Sequence, residues 1–255
     1  MVARTLWKKS FDYTARSSRA FYRFLPSQVT SVIYPLLHPI ARYLDDSFLI
    51  SQLPSLSADP RLPYFERVFQ TVAVDGVEGD YLEFGVFYGR TVLMALTFAE
   101  TYKLDDMRLF GFDSFAGFPY NEGPFTEKRA SSSVGLFNRY ISSQGKDPKK
   151  VTLIEGIYSD SLKESVKTKN GITSAAIVHI DCDQYLSTRD VLQFIQDLVH
   201  QGTILIFDDW DSFDEFAGAD QAKNYGEQKA FEEWCLQNRF QEFYHSGERM
   251  AFIMV

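Results

Sequence analysis

The chain has 255 residues, 45% of them hydrophobic and 24% charged, which is ordinary globular composition and enough length for one large α/β domain. A formal net charge of −8 argues against a nucleic-acid protein as a whole. Two cysteines, Cys182 and Cys235, exclude a disulfide framework or a cysteine metal cluster, and no apolar run approaches the roughly 18 residues that a membrane span needs.

Residues 1–60 read as a leader, and Asp59-Pro60-Arg61-Leu62-Pro63 as the boundary to a main domain over 61–255. Up to Arg42 there are seven basic residues against Asp12 alone, a net of +6, which leaves −14 for the remainder. Trp7, Phe11, Ala15, Ser18 and Tyr22 recur at helical spacing, so 5–24 is expected to be a basic amphipathic helix, followed by an apolar stretch from Val29 to Tyr43 broken by Pro35 and Pro39. Such an arm covers its own domain or a neighbouring subunit, touches an anionic membrane peripherally, or closes over a substrate. A chain starting near Leu62 is expected to fold and bind its cofactor. No signal peptide is read at the N-terminus, and reduced thiols and a cytoplasmic location are expected.

Tyr64 to Val74 predicts a helix feeding a first strand at Tyr81-Leu82-Glu83-Phe84. Gly85 and Gly89 then open a helix from Thr91 to Glu100. In an open parallel sheet, ligands bind where such turns leave the carboxyl ends of the strands. Glu83, Phe84, Gly85, Gly89, Arg90 and Thr91 are therefore candidate cofactor-binding residues. The two glycines would let the backbone approach a ligand closely. The loop is not G-x-G-x-x-G, which argues against a nicotinamide oxidoreductase.

A second strand, Met107 to Asp113, ends in an acid that, with Ser114 beside it, is placed to bind the ribose hydroxyls of an adenosine ligand. Residues 114–150 predict a long lid with a short helix near 131–143. A third strand, Val151 to Gly156, leads to Asp160, read either as a helix cap or as a carboxylate near an adenine amino group. A continuous apolar strand, Ala175 to Asp181, and a helix over 187–200 follow. The fifth strand, Gly202 to Phe207, ends in Asp208-Asp209. After a polar loop over 211–226 and a helix over 227–238, two terminal strands, 239–245 and 250–255, flank Ser246-Gly247-Glu248.

Asp181, Asp183, Asp208 and Asp209 thus follow two strands expected to be neighbours. Carboxylates crowded there repel unless a cation or protons neutralise them, and oxygen-only ligands suit Mg²⁺ or another hard divalent cation. His179, two residues before Asp181, is read as a buried, satisfied histidine or as a proton relay.

Taken together, Tyr81-Leu82-Glu83-Phe84-Gly85-Val86, Gly111-Phe112-Asp113-Ser114-Phe115-Ala116-Gly117-Phe118-Pro119, His179-Ile180-Asp181-Cys182-Asp183-Gln184-Tyr185-Leu186-Ser187-Thr188 and Asp208-Asp209 resemble the macrocin O-methyltransferase (TylF/MycF) family over roughly 64–255. The E-x-G-x-x-x-G loop likewise looks like the first motif of class I S-adenosylmethionine (SAM) methyltransferases. The resemblance implies an α/β, Rossmann-like fold with a seven-stranded, mostly parallel sheet in order 3-2-1-4-5-7-6, helices on both faces, and the N-terminal helical extension outside it. It implies SAM and a divalent cation as cofactors, methylation of a hydroxyl on a sugar or secondary metabolite, and a homo-oligomer. It also implies that Glu83, Gly85, Asp113 and Asp160 serve the SAM site, and that Asp181, Asp208 and Asp209 hold the cation. Asp181 is then also a candidate base that contacts SAM, with His179 the second catalytic candidate. Cys182 stands where family members commonly have Gly. Catechol-type O-methylation and a non-catalytic SAM-fold binding protein are the alternatives.

Overall fold

A computed structural model describes residues 46–128, 130–214, 224–235 and 239–255. The helix expected over 5–24, the apolar stretch over 29–43 and the middle of the loop over 211–226 lie outside the described residues. The chain divides into two compact units, Met1–Ser55 and Leu56–Val255. In the first, 46–52 is helical. The second begins upstream of the boundary expected at 61, so Asp59 falls in the same unit as Arg61.

In the larger unit the elements run α1 (Leu62–Asp75), β1 (Asp80–Phe84), α2 (Arg90–Thr101), β2 (Leu109–Asp113), α3 (Val134–Ser143), β3 (Val151–Glu155), α4 (Tyr158–Ser161) and α5 (Glu164–Asn170). They continue as β4 (Ala175–Ile180), α6 (Tyr185–Ile195), β5 (Ile204–Phe207), α7 (Gly226–Cys235), β6 (Phe240–Ser246) and β7 (Arg249–Met254). The strands form one sheet in the order β3-β2-β1-β4-β5-β7-β6. β1 to β5 pair in parallel and β7 enters antiparallel between β5 and β6. This is the expected topology.

Local signals explain the helix ends. α1 has proline within its first two positions, where a missing N–H costs nothing, and stops at Gly76 with φ of 63°. α3 starts at Ser133, whose Oγ accepts the Leu136 N–H at 3.1 Å.

Strand alternation sorts the first strand onto two faces. Leu82 and Phe84 face one side, where Phe84 stacks on Phe112 at 4.6 Å and Phe194 of α6 packs on both rings. Tyr81 and Glu83 face the other, where Tyr81 meets Phe69 of α1. Phe84, Phe112 and Tyr81 are fully buried, and each such side chain contributes roughly 1.5–3 kcal/mol. Because both faces are covered, the carboxyl ends of β1, β2, β4 and β5 are where functional groups are offered.

Candidate functional site

Three turns at that edge are built under backbone strain. Phe87 after β1, Phe115 after β2 and Asp183 after β4 have φ of 53°, 54° and 61°, a region that costs a non-glycine residue about 1–3 kcal/mol. In each case a carboxylate accepts the strained residue's N–H. Asp113 takes Phe87 through Oδ2 and Phe115 through Oδ1, both at 2.7 Å. Glu227 takes Asp183 at 3.3 Å. Burial pushes the Asp113 carboxyl up, against the amides of Phe87, Phe115 and Val86. The carboxylate stays half-buried, with lone pairs free for further donors.

Packing also requires the two glycines of the first loop. A Cβ on Gly85, at φ of 97°, would come within 1.8 Å of the Asp181 carbonyl oxygen. A Cβ on Gly89, at φ of 91°, would meet the Phe137 ring at 2.5 Å. Their bareness lets β1 close against the β4 turn and α3.

Four of the residues expected to touch the cofactor turn inward instead. Phe84 gives its side chain to the core and its carbonyl to the Asp181 N–H at 2.8 Å. Glu83 is fully buried, bonded by the Tyr81 hydroxyl and by Thr91 Oγ1 at 2.6 Å. Arg90 is buried against Asp59. Thr91, the fourth, is buried with Arg90 in the first turn of α2, and for Glu83 the reason is strand parity: it follows Tyr81 onto the face that α1 and α2 cover. Gly85, Asp113, Ser114, Asp160 and Asp181 keep some exposure at the strand ends, and Gly89 is buried behind them. Asp160 sits inside one-turn α4, whose N-cap is Ile157, so it is no cap. The Ser114 hydroxyl instead closes its own turn, accepting the Ala116 N–H at 3.2 Å.

His179 lies beside Glu83 in the parallel register. It is fully buried, 3.6 Å from Glu83 through Nδ1 and 4.0 Å from Asp208 through Nε2, with Phe65 edge-on at 5.1 Å. Both separations exceed a hydrogen bond, and neither ring nitrogen has a closer partner among the described residues. Burial favours the neutral ring, but the Asp208 and Glu83 charges outweigh it and hold the pKa at about 10. The ring is thus buried between two acids.

The acids expected to share one ion divide into two clusters. Asp208 accepts from Arg249 Nε at 2.6 Å and from Arg61 Nη1 at 3.3 Å. Arg61 in turn grips Asp59 through Nε at 3.1 Å and Nη2 at 3.2 Å. Burial opposes ionisation of Asp208, yet Arg61, His179 and Arg249 hold its carboxyl far below the usual range. Asp59 is likewise held at about 2, against burial, by Arg61 and Arg90. Truncation at Leu62 would remove Asp59 and Arg61 and leave buried Arg90 and Asp208 without these partners, so the expected minimal domain cuts through this network.

Asp181, Asp183 and Asp209 form the other cluster, with one carboxylate oxygen from each lying within 4.8 Å of the others. Burial, then the charges of neighbouring acids, pushes all three up. The nearest arginine contact is Arg61 at 4.0 Å from Asp181. His179, Asp181 and Asp208 also approach within 4.8 Å, but His179 and Asp208 already offset each other. The trio offers only oxygen ligands, which suits a hard divalent cation, and it shares Asp181 and Asp209 with the expected set. Asp183 was legible in the sequence as part of the acidic group, whereas Glu227, Arg61 and Arg249 carried no local signal.

A 3-2-1-4-5-7-6 sheet with acids and glycine turns at the carboxyl ends of β1, β2, β4 and β5 defines the Rossmann-like methyltransferase class. A sequence model of the macrocin-O-methyltransferase (TylF) family matches residues 54–233, and the chain belongs to that family. It is similar to mycinamicin III 3''-O-methyltransferase of Micromonospora griseorubida, 26% identical over 167 residues, covering 59% of this chain. The matched region spans 62% of that relative's length. Among solved structures, the O-methyltransferase NovP aligns with a TM-score of 0.61 at 18% identity, covering 76% of this chain and 79% of its own. The calicheamicin methyltransferase CalS11 aligns at 0.58 and 18%, covering 82% and 91%. These two likenesses support the fold. No helix among the described residues is long and apolar enough to cross a membrane.

Proposed function

We propose that the protein transfers the methyl group of SAM to a hydroxyl of a sugar or glycosylated metabolite, assisted by a divalent cation held by Asp181, Asp183 and Asp209. The observation that carries this reading is the uncompensated acid trio at the end of β4 and β5, one strand from the glycine loop. Family membership supports methyl transfer, and the likeness to a mycinamicin III 3''-O-methyltransferase supports an acceptor of this kind.

The residues fit both groups. Asp113 keeps acceptor capacity for ribose hydroxyls, and Gly85 leaves the loop free of side chains beside it. When bound, SAM supplies an electrophilic methyl group and the cation lowers the pKa of the acceptor hydroxyl. Asp181, its side chain 26% exposed, accepts the hydroxyl proton as the oxygen attacks the methyl carbon. Asp113 and the strained turns hold the two reactants at attack distance. His179, Glu83, Arg90 and Thr91 stay behind this surface and fix its charge.

The test is transfer from labelled SAM to a panel of glycosylated metabolites and catechols, with and without EDTA. Turnover is expected on a glycosylated acceptor, with loss of about 100-fold or more in EDTA and in Asp181→Asn. Turnover only on catechols would favour a phenolic acceptor. Indifference to EDTA would remove the cation from the mechanism.

A further inference from the structure

The acids lie on two turns, but a side chain from neither strand holds those turns together. Glu227, the second residue of α7, is completely buried. Its Oε1 accepts the N–H groups of Cys182 at 3.2 Å and Asp183 at 3.3 Å, on the β4 turn. Its Oε2 accepts the Asp209 N–H at 3.1 Å, on the β5 turn. One planar carboxylate therefore spans both acid-bearing turns, with one oxygen on each.

Two neighbours show how tightly this contact is made. Asp183 sits at φ of 61°, and its N–H is one of those Glu227 accepts. Gly226 has φ of 54°, and a Cβ there would lie 2.5 Å from the Phe213 ring and 3.0 Å from the Asp183 carbonyl oxygen. The start of α7 is thus pressed against the β4 turn. From the lid side, Glu122 accepts the Gly226 N–H at 2.9 Å and the Tyr185 N–H at 2.8 Å, tying the start of α7 to the start of α6, which follows the β4 turn.

An acid buried beside three others is electrostatically unfavourable. Its bonds to the two turns come from main-chain amides, from which an apolar residue cannot accept and glutamine can accept on one side only. We propose that Glu227 is a positioning residue that clamps the β4 and β5 turns and thereby sets the separation of Asp181, Asp183 and Asp209. The clamp rests on the reading of that trio as a divalent-cation site. Glu227 acts through the turns and touches none of the reacting atoms.

The test uses the full chain, with Mn²⁺ binding followed by electron paramagnetic resonance and amide exchange followed by mass spectrometry. Glu227→Gln keeps the shape but leaves an N–H donor facing one turn. Glu227→Asp keeps the charge and loses the reach, so it separates geometry from charge. In both, the Mn²⁺ dissociation constant is expected to rise about 10–100-fold, the range for losing a group that orients metal ligands. Exchange at Cys182 and Asp183, or at Asp209, is expected to accelerate, while S-adenosylhomocysteine binding changes by less than about threefold. Wild-type Mn²⁺ affinity in Glu227→Asp would overturn the positioning role, including in the event that Glu227→Gln does not fold. If the unmodified protein binds no Mn²⁺, or Asp209→Asn leaves binding intact, the cation reading fails instead. The clamp is then judged by exchange alone: faster exchange at those amides in either variant upholds it, and unchanged protection overturns it.

Discussion

Asp208 and Asp209 are adjacent in the chain and sit in opposite electrostatic surroundings. Asp208 belongs to a compensated region, where Arg61, Arg249 and His179 face it and Arg61 and Arg90 share Asp59. Asp209 belongs to an uncompensated one, with Asp181 and Asp183. Both regions are acidic and largely out of solvent, so acid content alone does not separate scaffold from site. Compensation does. A buried charge with close partners is held in place, and a group of half-buried acids whose one arginine contact is at 4.0 Å is arranged for something that arrives from outside.

The largest expected effect breaks the compensated side. Asp208→Asn takes the ionised partner from Arg249 and one of the partners from Arg61 and His179, and should destabilise the protein by about 3–5 kcal/mol in urea denaturation at pH 7. A loss under about 1 kcal/mol would mean that the pairs are not what neutralises Asp208.

A smaller effect sharpens the same side through pH. The folded Asp59 pKa of about 2 lies below its ordinary 3.8, so its stabilisation is present above about pH 4 and lost as pH falls through 2. Asp59→Asn should cost about 2 kcal/mol at pH 7, and the gap from wild type should close towards pH 2. A gap that does not change with pH would contradict the ion-pair account.

The uncompensated side should respond with the opposite sign. Asp209 is raised in the folded state, so its ionisation withdraws stability as pH rises above the ordinary carboxylate range. Metal-free Asp209→Asn should therefore melt at or above the wild-type temperature at pH 7, and the two proteins should converge near pH 4. A clear drop at pH 7 would place Asp209 with Asp208.

Much of this edge was legible. The apolar strands, the glycine loop and the terminal acids gave the sheet, and the motif blocks gave its order and family. Strand parity, already visible in Tyr81-Leu82-Glu83-Phe84, would have turned Glu83 inward, but the loop motif outweighed it. The split between Asp208 and Asp209 was not legible, because it depends on Arg61, 147 residues away in sequence, and on Arg249 at the start of β7. Glu227 lies in the polar run Gly226-Glu227-Gln228-Lys229, where nothing local marks it as buried. For His179 the sequence left a buried histidine and a proton relay both open, and it is the packing of Phe65 of α1 over the ring that shows that solvent is excluded.

Calorimetric titration of Mg²⁺ into metal-free protein at pH 7.5 tests the central claim most directly, since it reads the uncompensated acids without an acceptor. One site is predicted in the wild type, and Asp183→Asn and Asp209→Asn should each abolish its heat while S-adenosylhomocysteine still binds. Absence of a Mg²⁺ site, or a site that survives both substitutions, would contradict it.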